Sequence, residues 1–180
     1  MINNLSTLKE IELYHFKRNE AHLILDTNVL LLFLVGIYDI DYLKDCPLMT
    51  SGNKTYNKEH FELVEKIIKR FPNKIVITPH IISEMNMLSR IKIKPENRLN
   101  DYFIKLIRKL ENYKEHLIAL KILLNSVGII EFGITDISLI EVAKQKKWLI
   151  LTDDFNLYRA FEKEGFVIYF SRVVANEIYL

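Results

Sequence analysis

The chain has 180 residues, of which 49% are hydrophobic and 27% charged, and its formal net charge at pH 7 is +2. This composition is typical of a single globular domain with a two-sided core, and it excludes a disordered chain. The longest apolar stretch, residues 29–37, is too short to span a bilayer, so we expect no membrane partner. The single cysteine, Cys46, cannot form an internal disulfide, which fits a reducing, cytoplasmic location.

The N-terminal part of the chain predicts a helix, a buried strand and a buried helix. Thr7 and Glu10 form a capping box that opens a helix within the extension 1–20. A hydrophobic run then ends at Asp26, which predicts the first strand. Residues 27–38 are apolar nearly all round, which indicates a helix buried on every side.

The next part predicts a loop, a helix and the second strand. Residues 39–57 combine turn formers with scattered charges, and we expect an irregular loop that acts as a mobile flap. Asn57 is placed to cap an amphipathic helix that ends at Pro72. The strand 74–78 then leads through a proline into a helix that carries Glu84.

Residues 99–124 have apolar side chains at alternating spacings of three and four, which is a heptad-like pattern. We expect a helix packed on the domain, or a helix hairpin broken near Asn112. The alternative is the seam of a homodimer. The positions are Leu99, Phe103, Leu106, Leu110, Tyr113, Leu117, Leu120 and Leu124.

The remaining chain predicts two short βα units. Strands and helices alternate with brief connections, which favours a parallel sheet covered by helices on both faces. We therefore expect a single-domain α/β/α sandwich with extra helices. The predicted strands are 129–132, 148–152 and 166–170, and the predicted helices are 136–147 and 156–164.

Acidic residues stand where the short hydrophobic runs stop, or in the helix that follows. The carboxyl ends of parallel strands share one edge of a sheet, so these acids should converge there. Clustered carboxylates repel one another unless a cation lies among them, and oxygen ligands suit one or two Mg²⁺ or Mn²⁺ ions. Such ions support hydrolysis of a nucleic acid backbone. The candidates are Asp26, Glu84, Asp136, Asp153 and Asp154.

Each of these positions, taken alone, also fits a simple helix cap, because Asp and Thr are common at helix starts. Thr27 and Asn28 begin the helix after the first strand, and Thr135 is the expected cap of a helix with Asp136 in its first turn. In an extended chain, neighbouring side chains point to opposite faces, so only one of Asp153 and Asp154 should face an ion.

An RNA substrate would need cations near this acidic edge. Residues 90–121 contain nine Lys or Arg residues against four acids, which predicts a surface for phosphate contacts. The alternative is an ordinary solvated helix face. The residues proposed to bind RNA are Lys105, Arg108, Lys109 and Lys114.

Four strings, in this order, resemble the PIN-domain nucleases: LILDTNVL around Asp26, IISEM around Glu84, TDISLIEVA around Asp136, and LILTDDF around Asp154. The likeness covers residues 21–170. We expect a PIN-like domain at 21–172, after the extension 1–20 and before a C-terminal tail at 173–180.

The resemblance implies a Mg²⁺- or Mn²⁺-dependent endoribonuclease. Its metal ligands would be Asp26, Glu84, Asp136 and, by the Thr-x-Asp pattern, Asp154. Asp153 is the competing candidate for the last position. The residues expected to orient carboxylates and waters are Thr27, Asn28, Thr135 and Thr152.

The biological role and two other functions stay open at this point. Bacterial members of the family are often toxins of the VapC type held by an antitoxin protein. The extension 1–20 and the loop 39–57 depart from those compact toxins, so RNA processing and phage defence are equal alternatives. A PIN-like module that binds RNA or protein without cutting is a second function. A HAD-type phosphatase is a third, but it needs a second Asp where Asn28 stands.

Overall fold

The computed structural model describes residues 5–18, 21–43, 50–51, 54–93 and 96–179. In that part of the chain, five parallel strands form one sheet, and two short strands form a separate antiparallel hairpin. The sheet strands are β1 (Leu23–Leu25), β4 (Ile75–Ile77), β5 (Lys114–Glu115), β6 (Leu149–Thr152) and β7 (Val167–Tyr169). The hairpin strands are β2 (Thr50–Ser51) and β3 (Lys54–Thr55).

Helices connect the sheet strands, so the protein belongs to the α/β class and its architecture is consistent with an α/β/α sandwich. None of the described helices is both long enough and apolar enough to cross a membrane. The helices are α1 (Leu8–Lys17), α2 (Thr27–Tyr38), α3 (Lys58–Lys69), α4 (Pro79–Lys92), α5 (Glu96–Leu110), α6 (Leu120–Leu124), α7 (Ile129–Lys146), α8 (Phe155–Phe161) and α9 (Phe170–Ile178).

The core is built around β1 and α2, as the sequence predicts. Every residue of β1 is buried, because helices cover the parallel sheet. Helix α2 has the predicted bounds and contacts α3, α4 and α5. Gly36 allows the closest of these approaches, since a Cβ atom there would lie 2.1 Å from the ring of Phe61.

The two ends of the described chain pack against each other. The predicted capping box of α1 is confirmed, with Thr7 and Glu10 bonded reciprocally. The predicted tail 173–180 is largely helical, because α9 runs to Ile178 and buries Val173 and Val174. The Glu177 carboxylate accepts a 2.8 Å hydrogen bond from the backbone of Leu8, so α9 holds the start of α1.

The predicted strand at 129–132 is wrong, because these residues form the first turn of α7. Gly128 and Gly133 flank that turn with φ values of 90° and 78°, a left-handed region that favours glycine. Ile130 is 99% exposed, so the apolar run is not a buried strand. The strand that follows β4 in the chain and pairs with it at the edge of the sheet is instead β5, which consists of two exposed charged residues.

The heptad-like pattern is divided among several elements. Helix α5 ends at Leu110 and a turn follows, so the predicted break near Asn112 is confirmed. The strand β5 and the short helix α6 come next. The prediction of a helix hairpin, with a second long helix after the break, is therefore wrong. Leu106 is buried whereas Leu117 is 72% exposed, so the pattern does not form one continuous seam within the fold.

The predicted flap at 39–57 is only partly described. Residues 44–49 and 52–53 lie outside the described residues, and Cys46 is among them. The described part contains the β2–β3 hairpin and ends at Asn57, which caps α3 as predicted. Tyr56, just before that cap, is buried at the edge of the sheet where the acidic residues lie.

Candidate metal centre

The acidic residues lie at the point where the strand order of the sheet reverses. From β1 the chain builds outward through β4 to β5, then returns to the other side of β1 to place β6 and β7. Asp26 directly follows β1, and Asp153 and Asp154 directly follow β6. In open parallel sheets the crevice between two such strands is where ligands bind. The topology therefore brings these acids to the preferred binding edge.

Asp26 is a buried carboxylate that does not cap its own helix. It occupies the N-cap position of α2 but makes no side-chain capping bond, and its exposure is 3%. Its Oδ2 accepts a 2.8 Å hydrogen bond from Thr152 Oγ1. Burial raises the pKa of Asp26 to about 6, against the opposing hydrogen bonds from Thr152 and the Thr27 backbone. The negative charges of Asp154 and Glu84 raise this pKa further.

Thr152 connects two of the acids. Its hydroxyl donates to Asp26 and accepts a 3.0 Å hydrogen bond from the backbone N–H of Asp154. Asp154 in turn caps α8, and both of its capping bonds, from the backbones of Asn156 and Leu157, go to Oδ1. The neighbouring ends of β1 and β6 thus fix Asp26 and Asp154 relative to each other.

Glu84 reaches the same edge from α4, which starts at the N-cap Thr78 and Pro79. Glu84 lies in the second turn of that helix, and its Oε2 accepts a 2.9 Å hydrogen bond from Thr27 Oγ1. Helical side chains lean toward the N-terminus of their helix, which directs Glu84 back toward the strand ends. Thr27 therefore orients Glu84 beside Asp26.

Asp136 comes from α7 and completes the cluster. Gly133 resets the backbone, so Asp136 is in the first turn of a new helical segment and the predicted cap, Thr135, is already helical. Burial raises the pKa of Asp136 to about 7, and the charges of Asp26, Asp154 and Glu84 add to this shift. The smaller, electrostatic part of this shift places all four acids within electrostatic reach of one another.

A pair of hydroxyl groups docks α7 on α4. The Oγ atoms of Ser138 and Thr78 lie 3.0 Å apart and are both buried. Ser138 also donates to the backbone carbonyl of Thr135 at 2.6 Å. These contacts fix the helices that carry Asp136 and Glu84. Sequence reasoning missed Ser138, because its only signal is a polar residue on the apolar face of a helix.

Asp153 has a different environment from its neighbour Asp154. Its Oδ2 accepts a 2.5 Å hydrogen bond from the Tyr56 hydroxyl, and its Oδ1 accepts from the backbone and hydroxyl of Ser171 at 3.0 and 2.5 Å. Both oxygens are thus bound by protein groups. The structure gives Asp153 a bridging role between the segment before α3 and the start of α9.

The four converging acids fit a hard divalent cation in their donor chemistry. All their donors are carboxylate oxygens, which Mg²⁺ and Mn²⁺ prefer. Among the described residues, no three histidine, cysteine or acidic side chains are already arranged to hold one ion. Carboxylate side chains change position by rotation about χ1 and χ2, whereas the backbone fixes which acids can meet. Asn28 is half buried in the first turn of α2, two residues after Asp26 in the chain.

Three of the four predicted RNA-binding residues lie over aromatic rings. Lys105 pairs with Asp101 at 3.5 Å and lies over the ring of Tyr38. The ammonium groups of Lys109 and Lys114 lie 5.5 and 5.4 Å from the ring centroids of Phe33 and Trp148. Lys105, Arg108 and Lys114 are exposed residues and Lys109 is half buried, so the protein's own contacts occupy this face only in part.

A cavity of about 630 Å³ opens beside two of the acids. Its walls come from α7 and from the length of α8, and they combine carboxylates, an amide, a guanidinium and an aromatic ring. The lining includes Glu131, Phe132, Asp136, Asp154, Asn156 and Arg159.

Comparison of the chain with models of known protein families and with curated proteins finds no match.

Proposed function

We propose that this protein is a metal-dependent endoribonuclease of the PIN type, with Asp26, Glu84, Asp136 and Asp154 as ligands for one or two Mg²⁺ or Mn²⁺ ions. The observation that carries the proposal is the convergence of these acids at the switch point of a parallel sheet. Burial and the mutual repulsion of the acids raise the pKa of Asp136 to about 7 there. Proteins seldom keep such a cluster without a cation to neutralise it.

The threonines of the cluster support this assignment because they orient ligands. Thr152 donates to Asp26 and Thr27 donates to Glu84, so two of the four carboxylates are held by hydroxyl groups from neighbouring elements. Outer hydrogen bonds of this kind orient metal ligands and fix their protonation. The four motifs that resemble the PIN nucleases are also the four that this fold combines at one edge.

Bound divalent ions would activate a water molecule and neutralise the charge that grows on a phosphodiester. The protein's own contribution is to orient the carboxylates and to release protons when the ion binds. Asp26 and Asp136 have raised pKa values, so both must lose protons to act as ligands. Metal affinity should therefore increase between pH 6 and pH 8.

The direct test is cleavage of a labelled single-stranded RNA with Mg²⁺ or Mn²⁺, with EDTA, and with an Asp26→Asn variant. We expect cleavage that needs the metal and is lost in the variant, while circular dichroism shows an intact fold. Asp41→Asn changes an exposed acid outside the cluster and should cut at the wild-type rate. Cleavage in EDTA, or undiminished cleavage by Asp26→Asn, would contradict the proposal. RNA binding without any cleavage would favour a binding module.

A further inference from the structure

The cavity beside Asp136 and Asp154 has the size and chemistry of a ligand subsite. Its volume of about 630 Å³ lies in the range of roughly 300 to 1,000 Å³ that is usual for small-ligand pockets. Two of the four clustered acids belong to its lining, so whatever occupies it lies next to the proposed reaction centre. The remaining lining must therefore recognise a group adjacent to the bond that is cut.

Arg159 supplies a positive charge in this cavity. It is an exposed residue of α8, and its guanidinium lies 5.9 Å from the ring centroid of Phe155. A guanidinium offers a planar fork of donors that matches two oxygens of a phosphate. Glu131, which lines the cavity from α7, repels phosphate. Asp136 and Asp154 in the lining repel phosphate as well, so a phosphate in the cavity depends on the guanidinium of Arg159.

Phe132 supplies an aromatic surface in the same cavity. It is only partly buried, and the centroid of its ring lies 5.8 Å from that of Phe161, with the two rings tilted by 59°. Aromatic rings combined with cations are the usual means of holding single-stranded nucleic acids, because bases stack on the rings and phosphates bind the cations. A base within a duplex is already stacked and cannot reach such a ring.

We propose that this cavity binds one nucleotide of single-stranded RNA next to the scissile phosphodiester, with its base against Phe132 and a neighbouring phosphate on Arg159. The inference rests on the proposed nuclease function and names the substrate subsite of that centre. It assigns RNA contact to α7 and α8 instead of the basic face of α5, where two lysines pack over aromatic rings of α2.

The test measures binding of a fluorescent single-stranded RNA by anisotropy over a range of salt concentrations. All proteins carry Asp26→Asn, so that cleavage does not consume the probe. Arg159→Gln should weaken binding about fivefold or more, and it should lower the slope of log K against log salt by about 0.7, the value for one phosphate contact on a single strand. Arg18→Gln, at the exposed C-cap of α1, is the matched control and should leave both quantities unchanged. Arg108→Gln on α5 tests the alternative basic surface and should have a smaller effect than Arg159→Gln.

Phe132→Leu tests the base contact separately from charge. We expect binding about tenfold weaker with an unchanged salt slope, because stacking is lost and no charge is removed. Phe16→Leu removes an exposed ring of α1 and is the matched control. An RNA duplex of the same sequence should bind at least about tenfold more weakly than the single strand.

Three outcomes would overturn the subsite. These are Arg159→Gln and Phe132→Leu both binding like the parent, Arg108→Gln having the larger effect, or duplex and single strand binding equally. Failure of the nuclease proposal is distinguishable, because it appears as absence of metal-dependent cleavage by the wild-type protein. If cleavage needs metal and Asp26 while both pocket variants bind normally, the subsite is wrong and the nuclease stands. If the pocket variants lose binding and nothing is cut, the subsite stands as a binding site alone.

Discussion

Asp26 and Asp153 are both buried carboxylates at the same edge of the sheet, and they differ in how the protein surrounds them. Asp153 accepts hydrogen bonds from the Tyr56 hydroxyl and from the backbone and hydroxyl of Ser171. Asp26 accepts a side-chain hydrogen bond from Thr152, and three other acids lie close enough to affect the cluster's pKa values. The two carboxylates are almost equally buried, and yet their chemical environments differ.

The difference predicts opposite contributions of the two carboxylates to the stability of the fold. A buried carboxylate with both oxygens bonded to protein donors stabilises the native state, because its partners would otherwise lose their hydrogen bonds. A buried carboxylate among like charges destabilises the native state until a cation binds. Substitutions at the two kinds of position should therefore change stability in opposite directions.

The largest effect is expected at Asp153. Asp153→Ala leaves the hydroxyls of Tyr56 and Ser171 and one backbone N–H without their acceptor, and the free energy of unfolding should fall by about 3 to 5 kcal/mol. Urea unfolding in EDTA measures this change. Asp136→Ala is the matched control and should be neutral or stabilising in the same buffer. A loss below about 1 kcal/mol at Asp153 would contradict its structural role.

The second prediction concerns pH. The pKa of Asp26 is raised from 3.8 to about 6, so between these values the native state binds more protons than the unfolded state. Stability without metal should therefore decrease as the pH rises through this window, by on the order of 2 to 3 kcal/mol from this group. Unfolding at pH 4 and pH 8 in EDTA, for the wild type and Asp26→Asn, isolates its contribution. Identical pH dependence in the two proteins would show that Asp26 ionises normally.

A smaller effect is expected at Thr152. Thr152→Val keeps the shape of the side chain but removes the donor to Asp26 and the acceptor for the Asp154 backbone, at a cost of about 1 to 2 kcal/mol. Mn²⁺ affinity, measured by calorimetry, should also fall, because Asp26 loses the bond that favours its ionised form. Thr135→Val, whose described hydrogen bond uses only the backbone carbonyl, is the matched control. Equal Mn²⁺ affinity in Thr152→Val and the wild type would argue against this orienting role.

Local sequence patterns predict the strands that are formed by continuous apolar runs and the acids that follow those runs. β1 and β6 were predictable because each is an apolar segment that ends at a polar residue. The strand β5 was not, because Lys114 and Glu115 are exposed and pair with β4 only through the backbone. The run 129–132 misled in the opposite direction, since four apolar-rich residues fit one helical turn as well as a short strand.

At the site, too, local sequence signals predict what lies at the strand ends, and they miss contacts between residues that are distant in the chain. The acids could be found because they stand at strand ends or in the helix after a strand. The bonds of Asp153 could not, because Tyr56 is 97 residues away in the chain and reaches it only through the packing of α3 and α9. The cavity at Arg159 was also hidden, since it depends on the kink at Gly133 that brings the first turn of α7 beside α8.

The most direct test of the cluster is the thermal unfolding of wild type and Asp136→Asn at pH 7.5, first in EDTA and then in Mn²⁺. In EDTA the variant should unfold at the higher temperature, with a gain on the order of 1 kcal/mol, because one of four repelling charges is removed. In Mn²⁺ the order should reverse, since only the intact set of ligands binds the ion tightly enough to stabilise the fold. A variant that is less stable than wild type in both buffers, by the same amount, would contradict the account and make Asp136 a structural residue.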